Sequence, residues 1–266
     1  MIDPHVVSLQ YKLVTSESLT FRNPSPVEQE TEEFRMRLAD GIVTFETKEH
    51  YPSAEDAKKR LVEYLRAWEI TGGLALGSEV RFSFQSAKVI DRAPSPPGIH
   101  SVHVSNGAIT FSATLSVSIE RQSYPEPPMH FKVSQDVETL WFRYHGWQFG
   151  REPLQAMAYF CLSVLEWRAR DAVQQAGLKV KPRRYIAETY SSEEGVVSEF
   201  GRLVSTVGNM QTARKLEHGH DLRALTGQET QWIEALIKRL ILRLGEYEHD
   251  PAGPHDPIRM ADLPTL

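Results

Sequence analysis

The segment Arg214-Lys-Leu-Glu-His-Gly-His220 places one permanent cation and two imidazoles within seven residues. Five residues separate Arg214 from His220. On adjacent turns of one helix, or at its end, such a pair shares a single site. The guanidinium would stabilise phosphorane-like charge while the imidazole moves protons during attack by a ribose 2′-hydroxyl. His218 adds a second titrating group beside His220. In extended backbone the same two histidines would offer a metal two ligands, with a third drawn from His249 or Asp250. That is the competing expectation, a metal-dependent hydrolase on His218 and His220, although no zinc-type spacing is present and no metal is assigned. The densest basic cluster is Lys179-Val-Lys-Pro-Arg-Arg184, in which Lys179, Lys181, Arg183 and Arg184 are candidates for contacting the phosphates of RNA. A second arginine and histidine with the same five-residue separation stand at Arg243 and His249.

Other constellations do not occur. There is no Gly-Lys-Ser/Thr phosphate loop and no Gly-x-Ser-x-Gly nucleophile elbow. Thr71-Gly-Gly-Leu-Ala-Leu-Gly77 has the wrong glycine spacing for a phosphate cradle and reads as a helix stop at Gly72-Gly73. The single cysteine, Cys161, sits in the most apolar helical run, the place of a core thiol rather than a nucleophile. The aromatic run Trp141, Phe142, Tyr144 and Trp147 has few basic neighbours and reads as inter-domain packing.

The elements that must position these groups change character along the chain. In residues 1–150, apolar and polar residues alternate at Val7–Leu13, Phe34–Leu38, Ile42–Glu46 and Val80–Phe84, the period of half-buried strands. Asp40-Gly41 and Asn106-Gly107 each join two such runs as hairpin turns. One helix interrupts them, capped by Ser53 with Asp56 in its first turn. From Glu152-Pro153 the spacing is helical. Leu154 to Ala176 is apolar almost all round, a central buried helix ending at Gly177. Ser191 with Glu194, and Thr226 with Glu229, form capping-box patterns ahead of two amphipathic stripes. Beyond Glu248 the repeated His-Asp-Pro reads as an extended, frayed tail. The fold class expected is α+β: a β-rich N-terminal domain with one helix over 1–150, an all-α helical bundle over 151–248, and a Pro-rich tail over 249–266.

At this point residues 152–248 resemble HEPN domains, compact helical bundles whose ribonuclease members carry an arginine and a histidine four to six residues apart. Arg214 and His220 fit that spacing, although Lys215 stands where the family usually carries Asn, Asp or His. The resemblance implies a metal-independent endoribonuclease without cofactor. It also implies a homodimer, because in such enzymes two copies of the motif meet across the dimer.

Composition sets the limits. The 266 residues are 41% hydrophobic, enough for a real core, and carry a net charge of −5. No run of about 18 apolar residues appears, so no membrane partner is expected. One cysteine excludes an internal disulfide framework, and the start Met1-Ile-Asp-Pro-His lacks a secretory pattern, so a cytoplasmic setting is expected. Residues 1–150 hold 15 basic against 19 acidic side chains, while 151–266 hold 15 against 16. Charge therefore permits an RNA-facing second half. The expected role is an RNA-cleaving or toxin/defence-type effector whose β-rich domain takes an unidentified ligand or protein. The alternative is a non-catalytic binding or assembly protein whose helical domain dimerises.

Overall fold

The computed structural model describes residues 3–17, 19–93, 103–104, 119–206 and 223–266. The fold is mixed α+β, and the chain divides into two units, Met1–Met129 and His130–Leu266.

The first unit contains β1 (Pro4–Thr15), β2 (Leu19–Ser25), β3 (Val27–Glu30), β4 (Phe34–Ala39) and β5 (Ile42–Thr47), then α1 (Ala54–Leu76), β6 (Val80–Asp91), β7 (His103–Val104) and β8 (Ile119–Ser123). An antiparallel sheet runs β3-β4-β5-β1-β6, and β7 adds two residues at its edge. The period-two alternation decides its faces. Leu9, Tyr11, Leu13, Met36, Leu38, Val43 and Phe45 point inward, and α1 lays Leu61, Leu65 and Trp68 into the same core. Asp40 (φ 52°) and Gly41 (φ 72°) make the expected tight turn between β4 and β5. Of the expected hairpin about Asn106-Gly107, the turn lies outside the described residues. The described end of its second arm, β8, pairs parallel with β2 instead.

Ser53 caps α1, its hydroxyl accepting from the Asp56 amide at 3.2 Å. The helix does not stop at Gly72-Gly73. It continues to Leu76 and ends at Gly77, whose φ of 63° is the left-handed cap. The two glycines are buried because another segment approaches there. A Cβ on Gly72 would lie 3.2 Å from the Pro125 Cβ, and Trp68 Nε1 donates to the Pro125 carbonyl at 3.1 Å. Gly72 marks close packing, which local spacing cannot distinguish from a stop.

The second unit contains α2 (Gln135–Gln148), α3 (Leu154–Gln175), α4 (Pro182–Thr189), α5 (Glu194–Thr206) and α6 (Gly227–His249). The aromatic run at 140–147 is helical, and Val137, Leu140, Trp141 and Tyr144 form the buried stripe of α2. Helix α3 packs against α2, α4, α5 and α6, as a central helix should. One residue departs from that expectation: Trp167 is 61% exposed, so α3 keeps an outward face. Thr226 and Glu229 close their capping box in full. Ser191 and Glu194 do not. Ser191 (φ 46°) lies in the turn between α4 and α5, and its carbonyl accepts from the Ile258 amide at 2.8 Å.

That hydrogen bond overturns the frayed tail. Glu193 donates to the Ile258 carbonyl at 3.0 Å, making a parallel bridge, while Ile258 is 1% and Leu263 7% exposed. Two apolar anchors and main-chain pairing hold the Pro-rich segment down. Among the described residues no helix is long and apolar enough to cross a membrane.

Trp68→Phe removes the pyrrole part of a fully buried ring and leaves the buried Pro125 carbonyl without its donor. We expect a loss of at least about 1–3 kcal/mol in urea unfolding of the full chain, the cost of an unsatisfied buried polar group with the cavity adding to it.

Candidate functional site

Arg214, His218 and His220 lie outside the described residues, in the stretch between α5 and α6. What the structure supplies is the anchor where the chain returns. Arg223 donates from Nη1 and Nη2 to the two carboxylate oxygens of Glu229, each at 2.6 Å. Glu229 is the third residue of α6 and also accepts from the Thr226 amide at 2.8 Å. The Arg223 hydrogen bonds outweigh the opposing effect of burial and hold this carboxyl down to about 2. A forked arginine on a nearly buried carboxylate thus fixes the backbone three residues after His220. The capping box was legible in the sequence; the arginine that completes it was not singled out.

The basic cluster resolves into two pairs with different uses. Arg183 donates to Glu166 at 2.7 Å, and its guanidinium lies over Gly201 of α5 where a Cβ would not fit. Arg184 pairs with Glu188 one turn along α4 at 2.8 Å. Lys179 and Lys181 are exposed on the connection between α3 and α4, with no ion pair among the described residues. Trp167 projects from the last third of α3, the helix that leads into this connection. Its apolar type placed it among the core candidates. Its neighbours Glu166, Arg168 and Arg170 were the available sign of an outward face.

The second arginine–histidine pair falls at the end of α6. Arg243 and His249 line a cavity of about 570 Å³ together with His130, Asp250 and His255. Arg243 is 8% exposed and already committed. It donates to the Tyr190 carbonyl at 3.0 Å, the Asp256 carbonyl at 2.5 Å and the Glu246 carboxylate at 2.8 Å. A guanidinium so occupied is a structural tie, not a group awaiting substrate. The His130 and His249 rings stand 5.5 Å apart. Among the described residues no three His, Cys, Asp or Glu side chains are arranged to hold a metal ion.

In the first unit the outward face of the sheet forms a polar recess of about 470 Å³. Gln10, Thr44, Arg37 and Ser86 stand side by side there, with Ser86 Oγ and Gln10 Oε1 2.9 Å apart. Four adjacent strands thus present amide, hydroxyl and guanidinium groups in one row, suited to a polar hydrogen-bonding ligand.

Cys161 is fully buried, and burial pushes its thiol up to about 12. Iodoacetamide at pH 8 is therefore expected to leave the native protein unlabelled and to modify it rapidly in denaturant, read by mass spectrometry. For Glu229 the folded carboxyl lies below its usual value, so its contribution is complete above about pH 4.5 and is lost as pH falls towards 2. Arg223→Gln should remove on the order of 2 kcal/mol at neutral pH and flatten that acid limb of the stability profile.

Comparison of the chain with protein-family models, with curated proteins and with solved structures returned no match. The functional reading therefore rests on its residues and their geometry.

Proposed function

We propose that this chain is an intracellular RNA-directed effector whose helical part binds and cleaves RNA without a metal, and whose β-rich part takes a regulatory ligand or protein. The observation that supports it most is the exposed Trp167 on the helix leading to Lys179 and Lys181, which are exposed and make no ion pair among the described residues. An aromatic face and unpaired cations are what a strand with splayed bases uses, stacking on the one and phosphate attraction to the other. Arg183 and Arg184 contribute to that field while serving α4. In this reading Arg214 stabilises the charge that develops on the phosphorus oxygens, and His220 transfers the proton, with His218 beside it. The HEPN-like arrangement adds a homodimer in which two copies of the motif face one another. The domain division at residue 150, with a helical bundle after it, belongs to the same proposal.

A second reading has its own observation. Phe142 on α2 is 68% exposed and Phe149, which caps the same helix, 49%, while the opposite stripe of α2 is buried. Exposed aromatics seven residues apart, on a helix and at its cap, suit an assembly surface, as in a non-catalytic binding protein that dimerises.

Labelled single-stranded RNA separates the two readings. Arg214→Ala and His220→Ala should each lower cleavage by at least a hundredfold while leaving the unfolding midpoint unchanged. Trp167→Ala should weaken binding by about 1–3 kcal/mol, the loss of one stacked base. If the wild type neither binds nor cleaves any RNA offered, the effector reading is rejected and the assembly reading stands.

A further inference from the structure

The end of α6 receives two segments that are more than a hundred residues apart. On one side, the leading segment His130–Val133 lies across the helix. Lys132 donates its amide to the Gly245 carbonyl at 3.0 Å, the Phe131 ring occupies the space a Cβ on Gly245 would take, and His130 meets His249 ring to ring. On the other side, the strap Pro251–Leu263 is drawn in by Arg243 through the Asp256 carbonyl and by the bridge from Ile258 to Ser191 and Glu193. The Met260 amide donates a hydrogen bond to the Glu193 carboxylate at 2.8 Å.

Helix α6 is poorly built to hold this end unaided. Gly245 sits in its interior, where glycine costs about 0.8–1 kcal/mol relative to alanine. Asp250 ends the helix in an extended conformation (φ −144°) rather than with a left-handed glycine cap. The last two turns are therefore an element that frays unless clamped from outside. Both clamps act on it within three residues, at Arg243 and at Gly245.

We propose that the strap and the leading segment form one cooperative clasp on the last two turns of α6, so that lifting the strap also frees the segment that follows Met129. The route is physical. Without the strap, Arg243 loses the Asp256 carbonyl and becomes a buried cation short of acceptors, a state it leaves by turning towards water. The turn carrying Gly245 then opens, and the Lys132 amide loses its acceptor. Linkage requires the reverse as well: displacing Phe131 must loosen the strap.

Amide hydrogen exchange on the full chain tests this. In Ile258→Asp, which puts a carboxylate into the buried anchor position, the Glu193 amide loses its acceptor and should exchange at least tenfold faster. The clasp requires the Lys132 amide to accelerate by a similar factor. In Gly245→Ala, where Phe131 is displaced, the Glu193 amide should accelerate in turn. Amides of α3 between Met157 and Leu165 report global unfolding; if they accelerate in the aspartate variant, the comparison is made in Ile258→Ala. Two independent attachments, and not a clasp, are the answer if Lys132 keeps its wild-type rate while Glu193 speeds up, or if Glu193 is unmoved when Lys132 has been freed.

Discussion

A buried guanidinium has to find acceptors for its donors, and in the second unit Arg243 finds them in three places at once. Taking such a cation out of water costs several kcal/mol unless hydrogen bonds replace its hydration. The Tyr190 carbonyl at the end of α4, the Asp256 carbonyl in the strap and the Glu246 carboxylate on its own helix supply them. A carbonyl reaches a fixed guanidinium only where the backbone holds it in place, so satisfying this one side chain constrains the path of two connections. The turn between α4 and α5 must present Tyr190, which leaves Ser191 in a left-handed conformation. The strap must pass within reach of α6, and having done so can pair Ile258 with Ser191 and Glu193.

That dependence explains which parts of the fold could be read from the chain. Features whose causes lie within four residues were legible: Asp40-Gly41 as a turn, Ser53 and Thr226 as helix caps, and the alternation of β1, β4 and β5 as faces. Features whose causes lie far away were not. Gly72-Gly73 has the local form of a helix stop, and only Pro125 makes it a contact point. The segment after Glu248 has the composition of a loose tail, and only Ser191, Glu193 and Arg243 make it ordered. Trp167 was misplaced for the complementary reason: its type is that of a core residue, and the polar residues flanking it outweigh type only once the neighbours of α3 are known.

The candidate site was legible as chemistry rather than as geometry. An arginine and a histidine five residues apart occur twice, at Arg214 with His220 and at Arg243 with His249. Spacing treats the two alike. Environment decides the second pair alone. Arg243 already donates to the Tyr190, Ser191 and Asp256 carbonyls and to the Glu246 carboxylate, which leaves at most one of its five N–H donors for a developing negative charge. Catalysis requires donors aimed where that charge will appear. The same criterion divides the basic cluster. Arg183 and Arg184 already satisfy glutamates, while Lys179 and Lys181 keep their charges towards solvent.

Seen this way, the two ends of α6 have different tasks. At its start, Glu229 holds Arg223 and the Thr226 amide, so the chain leaving the Arg214–His220 stretch enters the helix through a nearly buried ion pair. Such a pair is costly to break, because either partner left alone is an uncompensated charge. At its end, the helix is held through Arg243 and Gly245 by two docked segments, so its closure depends on pieces of chain outside the helix. The rigid end adjoins the residues proposed to do chemistry, where a displacement of about 1 Å is enough to cost about a hundredfold in rate. The other end adjoins the two docked segments, His130–Val133 and the strap. On the proposed reading, the forked pair at the start of α6 keeps Arg214 and His220 in register, while the clasp at its end lets the same helix respond to the two docked segments.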